Sequence, residues 1–218
     1  YVTCDGKYAV SGWSTVRGGW NNGGPYTVYF YLQSDTPLSN SDVPLANGEA
    51  PLYNKVKESK TRLDVAFLKS TVNLKIGISH ISIAQARKNI PACGFDAQLK
   101  NVRKTWNGKL GKIEIAATEK QKRMFYTALY HTMLMPVDKS GENPHFSATP
   151  YYDDYYAIWD TYRTSMPLLT LIEEPQQRDM VNSLLNIYKY DGYMPDARSG
   201  NWNGRTQGEI GRASCRER

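Results

Sequence analysis

Residues 71–89, TVNLKIGISHISIAQARKN, contain the change of pattern that decides the fold class. The first part alternates apolar residues with small or polar ones, and this period of two predicts a β-strand with one buried face. The apolar members of the alternation are Val72, Leu74, Ile76 and Ile78. After Ile83 the spacing becomes helical, and a helix is predicted over residues 84–89, ahead of Pro91. Strands therefore give way to helices near residue 83.

Two further strands are predicted before this point. Residues 26–32 are β-branched and aromatic and follow the turn-forming residues 21–25, which is typical of a strand. Residues 62–69 are predicted to pair with the strand that begins at Val72, through a short turn at Ser70 and Thr71. Antiparallel hairpins of this kind build β-sandwiches.

The second half of the chain favours helices. Thr118 and Gln121 form a capping-box signature, which predicts the start of a long helix that stops at Pro136. Helices are also predicted over residues 95–110, 160–172 and 175–190, the last capped by Gly192, with a short strand over 112–115. The apolar residues predicted to bury the last helix are Met180, Val181, Leu184, Leu185, Ile187 and Tyr188.

Composition excludes several classes of protein. Of 218 residues, 40% are hydrophobic and 22% are charged, which indicates a globular rather than a disordered chain. The net charge of +6 is scattered without a basic stripe, so a solvated surface is favoured over nucleic-acid binding. The three cysteines have no CxxC spacing, which argues against a disulfide framework and a zinc site. No apolar run approaches the roughly 18 residues of a membrane span.

Aromatic content is the unusual part of the composition, with 16 tyrosines and 5 tryptophans against 5 phenylalanines. Tyrosine and tryptophan can stack on a sugar ring and bond its hydroxyls, although edge strands and interfaces use the same residues. The chain has no HExxH, GxSxG or glycine-rich phosphate-loop motif. Metalloprotease, serine-hydrolase and nucleotide-binding functions therefore find no support.

Three spaced segments indicate a family. They are MFYTALYHTMLMP at 124–136, IWDTYRTSMPLLTLI at 158–172 and DGYMPDARSGNWNGRTQG at 191–208. In this order they resemble glycoside hydrolase family 92, the calcium-dependent exo-α-mannosidases, and the resemblance is strong after residue 110 and weaker before it. It implies an internal fragment with part of a β-sandwich domain at 1–83, linking helices and a short strand at 84–117, and the first helices of an (α/α)6 toroid at 118–208.

The resemblance also implies an activity. Family members remove terminal α-linked mannose from glycans, N-glycans among them, with inversion, which requires a protonated carboxylic acid and a carboxylate that activates water. A calcium ion assists. The acid, the base and the calcium ligands are expected beyond residue 218, so no catalytic or metal-binding residue is assigned here.

The partners and location follow from the same resemblance. The expected partner is a mannose-containing glycan, without nucleic acid, and the expected location is secreted, periplasmic or cell-surface, with any signal segment out of view. The alternative is a non-catalytic carbohydrate-binding module.

The candidate substrate-binding residues lie in the second and third of these segments. Asp160 stands where a helix is predicted to begin, so its carboxylate would either cap that helix or accept bonds from sugar hydroxyls beside Trp159. Arg163, one turn later, would pair with Asp160 or donate to a hydroxyl. Arg198, Asn201 and Trp202 belong to a glycine-rich loop, for which a tight exposed turn is the alternative.

Three other features of the sequence are interpreted without a role in binding substrate. Asp153 and Asp154 are neighbours in an extended segment and should point in opposite directions, so they are interpreted as surface or loop-stabilising residues. His131 is interpreted as a core histidine. Residues 209–218, EIGRASCRER, have no apolar period, and we expect a foreign or out-of-frame tail, with a lineage-specific loop as the alternative.

Overall fold

The structure is a computed structural model that describes residues 1–17, 24–39, 65–67, 69–155 and 158–203. The chain divides into two compact units, one of Tyr1–Val16 and Thr27–Leu99 and the other of Arg17–Tyr26 and Lys100–Arg218. Strands dominate the first unit and helices the second, as the sequence predicted. The interpretations of residues 62–64 and 209–218 lie outside the described residues.

The first unit contains a four-stranded sheet in the order β1-β2-β3-β6, followed by a short helix. Its elements are β1 (Val2–Cys4), β2 (Ala9–Val16), β3 (Tyr26–Ser34), β4 (Leu38–Ser39), β5 (Ala66–Phe67), β6 (Leu74–Ser79) and α1 (Ile83–Lys88). The predicted strand over 26–32 and the predicted helix over 84–89 are thus confirmed as β3 and α1, within two residues at their ends.

The hairpin predicted between residues 62–69 and β6 is wrong for the part that the structure describes. β6 pairs antiparallel with β3, from Tyr29 opposite Ser79 to Ser34 opposite Leu74. β5 instead pairs with β4, with Phe67 opposite Leu38. The physical reason is length, because β3 offers β6 a full antiparallel ladder, whereas β5 is only two residues long.

The buried face of β6 is the opposite of the predicted one. Gly77 and Ser79 are buried, whereas the side chains of Leu74, Ile76 and Ile78 are 45%, 55% and 59% exposed. α1 packs against the small residues, and a Cβ built on Gly77 would lie only 1.9 Å from the carbonyl oxygen of Ala86. Close approach of the helix backbone therefore selects the glycine face of the strand.

The second unit contains most of the helices and, among its described residues, two strand pairs, β7 with β8 and β9 with β10. Its elements are α3 (Glu119–Thr132), β7 (Val137–Asp138), β8 (Tyr152–Asp153), α4 (Ile158–Thr161), α5 (Ser165–Ile172), α6 (Glu174–Asp191), β9 (Arg198–Ser199) and β10 (Trp202–Asn203). The helix α2 (Phe95–Leu110) begins in the first unit and continues into the second from Lys100. No helix in the described ranges has the length and apolar character needed to cross a membrane.

Local signals located most of these helices correctly. Thr118 and Gln121 form the predicted capping box at the start of α3, and Gly192, with φ of 79°, caps α6 in the left-handed conformation. Two predictions are wrong. Residues 112–115 form no strand and Ile113 instead accepts a hydrogen bond from the Tyr126 hydroxyl at 2.9 Å. The helix predicted over 160–172 is interrupted at 162–164, between α4 and α5.

The core of the second unit joins helix residues to a run of tyrosines from the segment before α4. Its buried members are Leu129, Met133, Tyr151, Tyr152, Tyr155, Leu169, Met180 and Ile187. α6 contributes Met180, Ser183 and Ile187, whereas Val181, Leu185 and Tyr188, which were predicted to be buried, are 47%, 53% and 53% exposed. In the described part of the chain, only one side of α6 is covered.

Replacing Gly77 with alanine tests the contact between α1 and β6. The new Cβ would meet backbone rather than a movable side chain, so Gly77→Ala should lower the free energy of unfolding by at least about 1–3 kcal/mol. Gly108→Ala is the matched control: it lies exposed within α2 with open space around it, and it should gain about 1 kcal/mol. Thermal unfolding of both variants measures this, and equal midpoints would contradict the contact.

Candidate functional site

The predicted glycine-rich loop is a β-hairpin, residues 198–203, called the 198–203 hairpin below. β9 and β10 pair antiparallel, with Trp202 opposite Ser199 and Asn203 opposite Arg198. Gly200 and Asn201 form the turn with φ of 62° and 65°, the two positive values that a type I′ turn requires. A Cβ on Gly200 would lie 2.6 Å from the ring of Tyr26, so packing also demands glycine there.

The tip of this hairpin is buried, which contradicts the alternative of an exposed turn. Asn201 is 2% exposed and Arg198 is 1% exposed. Turn tips usually face solvent. Here the tip enters the unit and meets a group of charged side chains, so the hairpin is anchored at both its base and its tip.

These charged side chains form the acidic–basic cluster, which consists of Lys139, Asp153, Asp154, Asp191 and Arg198. The Arg198 guanidinium lies 3.0 Å from Asp191 and 3.4 Å from Asp153, which is completely buried. It also donates to the side-chain oxygen of Asn203. A buried charge is stable only when it is paired and hydrogen-bonded, and both conditions hold for Arg198.

Asp153 and Asp154 do not point in opposite directions, and Asp153 is not a surface residue. Both carboxylates reach the amine of Lys139, at 3.0 Å and 2.8 Å. Asp154 has φ of 59°, which breaks the extended backbone and turns its side chain to the same side as that of Asp153. Their predicted role in stabilising a loop is confirmed, because Asp153 also accepts a hydrogen bond at 3.0 Å from the backbone N–H of Asn201.

The electrostatics of the cluster affect two titratable groups. Burial favours the neutral amine of Lys139, but the carboxylates of Asp153 and Asp154 outweigh it and raise the pKa of Lys139 above its usual value. Burial, together with the charge of Asp153, raises the pKa of Tyr151. At neutral pH the amine is therefore charged and the Tyr151 hydroxyl keeps its proton.

Backbone hydrogen bonds bring the two candidate segments together. The N–H of Arg198 donates to the carbonyl of Tyr155 at 2.8 Å, and the N–H of Ile158 donates to the carbonyl of Asp196 at 3.1 Å. α4 begins at Ile158, so its first residue is bonded to the segment immediately before the hairpin. Segments that are about 40 residues apart in the sequence thus become neighbours.

α4 contains Trp159 and Asp160. Asp160 is exposed and lies inside the first turn of α4, so the helix-capping role considered for it is wrong. The side chain of Trp159 lies outside the described set. Arg163 is exposed beyond the end of α4, where it donates to the Tyr162 hydroxyl at 2.6 Å with its guanidinium 5.2 Å from the ring centre. Among the described ion pairs, none joins Asp160 to Arg163.

The hairpin residues take up a structural position. Arg198 and Asn201 are buried in contact with protein groups, and Trp202 donates to the carbonyl of Pro25 at 3.1 Å while its ring meets the edge of His145. Contact of Arg198, Asn201 and Trp202 with substrate stays a prediction. The core position expected for His131 is wrong, because this side chain is exposed beside the Tyr130 ring.

Sequence reasoning missed Lys139, Tyr151 and Asp191 as parts of this site. Each is brought to Arg198 or Asp153 by the fold, and no local spacing in the sequence connects them. Within the described ranges, no group of three or more His, Cys, Asp or Glu side chains could hold a metal ion.

Comparison with known proteins gives a family match and a fold match. The model of the glycosyl hydrolase family 92 catalytic domain matches residues 83–213, more than half of the chain. Over 102 residues the chain is 34% identical to an uncharacterized secreted glycosidase of Arthroderma benhamiae. The matched region covers 42% of this chain and 13% of that protein.

Two solved structures of the family GH92 alpha-mannosidase from Bacteroides thetaiotaomicron, one in complex with mannoimidazole, have the same fold. Each matches with a TM-score of 0.68 at 20% identity, over 93% of this chain. The chain spans only 30% and 29% of the length of those two chains.

Removing the amine of Lys139 tests the cluster. Lys139→Met would remove one of the two cations beside the buried carboxylate of Asp153, the amine at 3.0 Å, and leave the Arg198 guanidinium at 3.4 Å. Because the hydrogen bond to a buried charged group is lost, we expect the protein to lose about 1–3 kcal/mol of stability or more. Lys122→Met is the control, since it removes an exposed pair with Glu119 at 3.3 Å that contributes about 0–1 kcal/mol. Urea unfolding measures both, and similar losses in the two variants would refute the role of the cluster.

The stability difference between the parent protein and Lys139→Met should decrease at alkaline pH. Because folding raises the pKa of Lys139, its contribution is fully present below the usual value of 10.5 and is lost as pH rises through the higher folded value. The stability gap between the parent and Lys139→Met should therefore stay constant at neutral pH and narrow above pH 10.5. Unfolding measured at several alkaline pH values checks this, and a gap that widens there would contradict the assignment.

Proposed function

Because this chain belongs to glycosyl hydrolase family 92, we propose that it acts within an enzyme that removes terminal α-linked mannose from glycans. The observation that supports this most is the family match over residues 83–213, which includes both α4 and the 198–203 hairpin. The shared fold with an alpha-mannosidase supports the choice of mannose. The relative named as a secreted glycosidase supports action outside the cytoplasm.

The contribution of this chain is to hold the sugar. Asp160 is exposed on α4, and its carboxylate oxygens can accept hydrogen bonds from two neighbouring hydroxyls. Trp159 precedes it and offers the kind of flat apolar surface on which a sugar ring stacks. The exposed guanidinium of Arg163, already oriented by Tyr162, supplies donors at the other end of α4.

The chemistry belongs to other residues. Inverting hydrolysis uses a carboxylic acid that protonates the leaving oxygen and a carboxylate that takes a proton from the attacking water. The buried carboxylate of Asp153 is paired with Lys139 and Arg198, so it is not suited to either task. We place the acid and the base beyond residue 218, with the remaining helices of an (α/α)6 toroid to which α3 to α6 would contribute. The sheet of the first unit would form part of a β-sandwich.

Calcium dependence is also part of the proposal. Among the described residues, no group of three or more His, Cys, Asp or Glu side chains is placed to hold a metal ion. The ligands are therefore proposed to lie outside the described residues, and the chain itself orients the sugar.

Substitution of Asp160 tests the role of α4. In the complete reading frame that contains this chain, Asp160→Asn should lower kcat/KM on an aryl α-mannoside by about 10- to 100-fold, because charge-assisted hydrogen bonds to hydroxyls are lost. Asp179→Asn, an exposed aspartate on α6, is the control and should change kcat/KM less than about twofold. An unchanged kcat/KM in the Asp160 variant would remove this residue from the site.

Chelation tests the class of function. Cleavage of a mannose-terminated glycan by the complete protein should be lost after treatment with a calcium chelator and return when calcium is added in excess. Activity that is indifferent to the chelator would refute calcium dependence. Glycan binding without cleavage, at any calcium concentration, would instead indicate a carbohydrate-binding module.

A further inference from the structure

Asn201 adopts a backbone conformation that is uncommon for a residue with a side chain. Its φ is 65°, and this region costs of order 1 kcal/mol for residues other than glycine. Three hydrogen bonds hold it there: its N–H donates to Asp153 at 3.0 Å, its carbonyl accepts from Arg198 at 2.9 Å, and its side-chain oxygen accepts from the Tyr151 hydroxyl at 2.8 Å. The turn of the 198–203 hairpin is thus fixed from three directions.

The Tyr151 hydroxyl is the junction of this arrangement. It donates to Asn201 and lies 3.3 Å and 3.2 Å from the Nε and Nη2 atoms of Arg198, which donate to it. One donor and two acceptor positions are all that a hydroxyl has, so the group is fully used. Tyr151 is completely buried, and burial raises its pKa. The hydroxyl therefore stays protonated and donates its hydrogen bond to Asn201.

The ring of Tyr151 has a separate role from its hydroxyl. The ring packs edge-on against Phe146, with centroids 5.6 Å apart, and lies beside the Arg198 guanidinium. It belongs to the core of the second unit. Removal of the hydroxyl alone would therefore leave the packing of the ring and affect only the connection between Arg198 and the tip of the hairpin.

We propose that Tyr151 is a positioning residue for the sugar site, acting through Asn201. Its hydroxyl holds the turn, which keeps Trp202 and Asn203 in position on β10. The backbone bonds from Arg198 to Tyr155 and from Ile158 to Asp196 then fix the position of α4 relative to the hairpin. The inference rests on the proposed function, because it assumes that α4 and the hairpin hold substrate.

Two Tyr→Phe variants in the complete reading frame provide a matched test. Tyr151→Phe removes the junction, whereas Tyr126→Phe removes an equivalent hydroxyl bond to the carbonyl of Ile113 at 2.9 Å, away from the hairpin. Tyr126→Phe loses one hydrogen bond of about 1 kcal/mol, whereas Tyr151→Phe loses the one that the hydroxyl donates and the two that it accepts. Both variants should therefore melt below the parent protein, with Tyr151→Phe the lower of the two. Only Tyr151→Phe should raise KM for an aryl α-mannoside, by about tenfold with kcat within about twofold, because uniform binding of the sugar is weakened.

A double-mutant cycle tests whether Tyr151 acts through Asn201. Glycine accepts φ of 65° without strain, so Asn201→Gly should keep the turn and lose only the side-chain connection. Tyr151→Phe and Asn201→Gly should therefore raise KM no further together than singly, whereas Tyr126→Phe combined with Asn201→Gly should give the effect of Asn201→Gly alone. Additive effects of the Tyr151 and Asn201 variants, or equal KM in both phenylalanine variants, would overturn the proposal.

Amide hydrogen exchange separates this inference from the proposed function. Exchange of the peptide that covers residues 198–203 should be at least about tenfold faster in Tyr151→Phe than in Tyr126→Phe, since the Asn201 N–H is held by Asp153 only while the turn is in place. If the parent protein cleaves no mannoside, the proposed function fails and the exchange comparison still decides whether Tyr151 positions the hairpin. Equal exchange in the two variants would refute its role.

Discussion

The guanidinium of Arg198 lies in the interior of the second unit beside the carboxylate of Asp153, and 1% and 0% of the two side chains are exposed. Placing two charges in the interior costs several kcal/mol of desolvation for each ion, and the cost is offset only when every partner is in place. Arg198 pairs with Asp191 and donates to Asn203. The Oδ2 atom of Asp153 accepts from Lys139 and from the backbone N–H of Asn201, while its Oδ1 atom is paired with Arg198 alone, at 3.4 Å. The hairpin, the segment before α4 and the end of α6 are therefore joined at one point.

The paired charges of Arg198 and Asp153 explain how a unit with many loops can present a defined surface. β9 and β10 are each two residues long, and a hairpin of that size has no stability of its own. Its shape is maintained by buried side chains and by two backbone hydrogen bonds, one from Ile158 to Asp196 and one from Arg198 to Tyr155. α4 has only four residues and depends on the same attachment. The elements proposed to hold sugar thus depend for their position on side chains and backbone bonds from other parts of the unit.

The different roles proposed for Asp160 and Asp153 have a physical reason. Carboxylates that bind hydroxyls must be accessible, as Asp160 is, while those that shape a loop can be buried if they are paired, as Asp153 is. An acid or base for hydrolysis needs a proton that can be exchanged with substrate or water, and a carboxylate between a lysine and an arginine does not offer one. This contrast is the basis for proposing that Asp160 binds glycan hydroxyls and that Asp153 stabilises the loop.

The sequence by itself determined the class of fold and most element positions, because helix caps and hydrophobic periods are local. Thr118 with Gln121 and the glycine at position 192 marked helix ends that the structure confirms. Three spaced segments also indicated the family, and all of them lie within the residues that the family model matches.

Only the tertiary structure decided which face of β6 is buried, since the close approach of α1 at Gly77 outweighs the apolar alternation. It also decided that Arg198 and Asn201 are interior residues and that Lys139 and Tyr151 belong with them. Residues that lie 47 and 50 positions apart meet there through long-range packing, and no local pattern encodes that meeting.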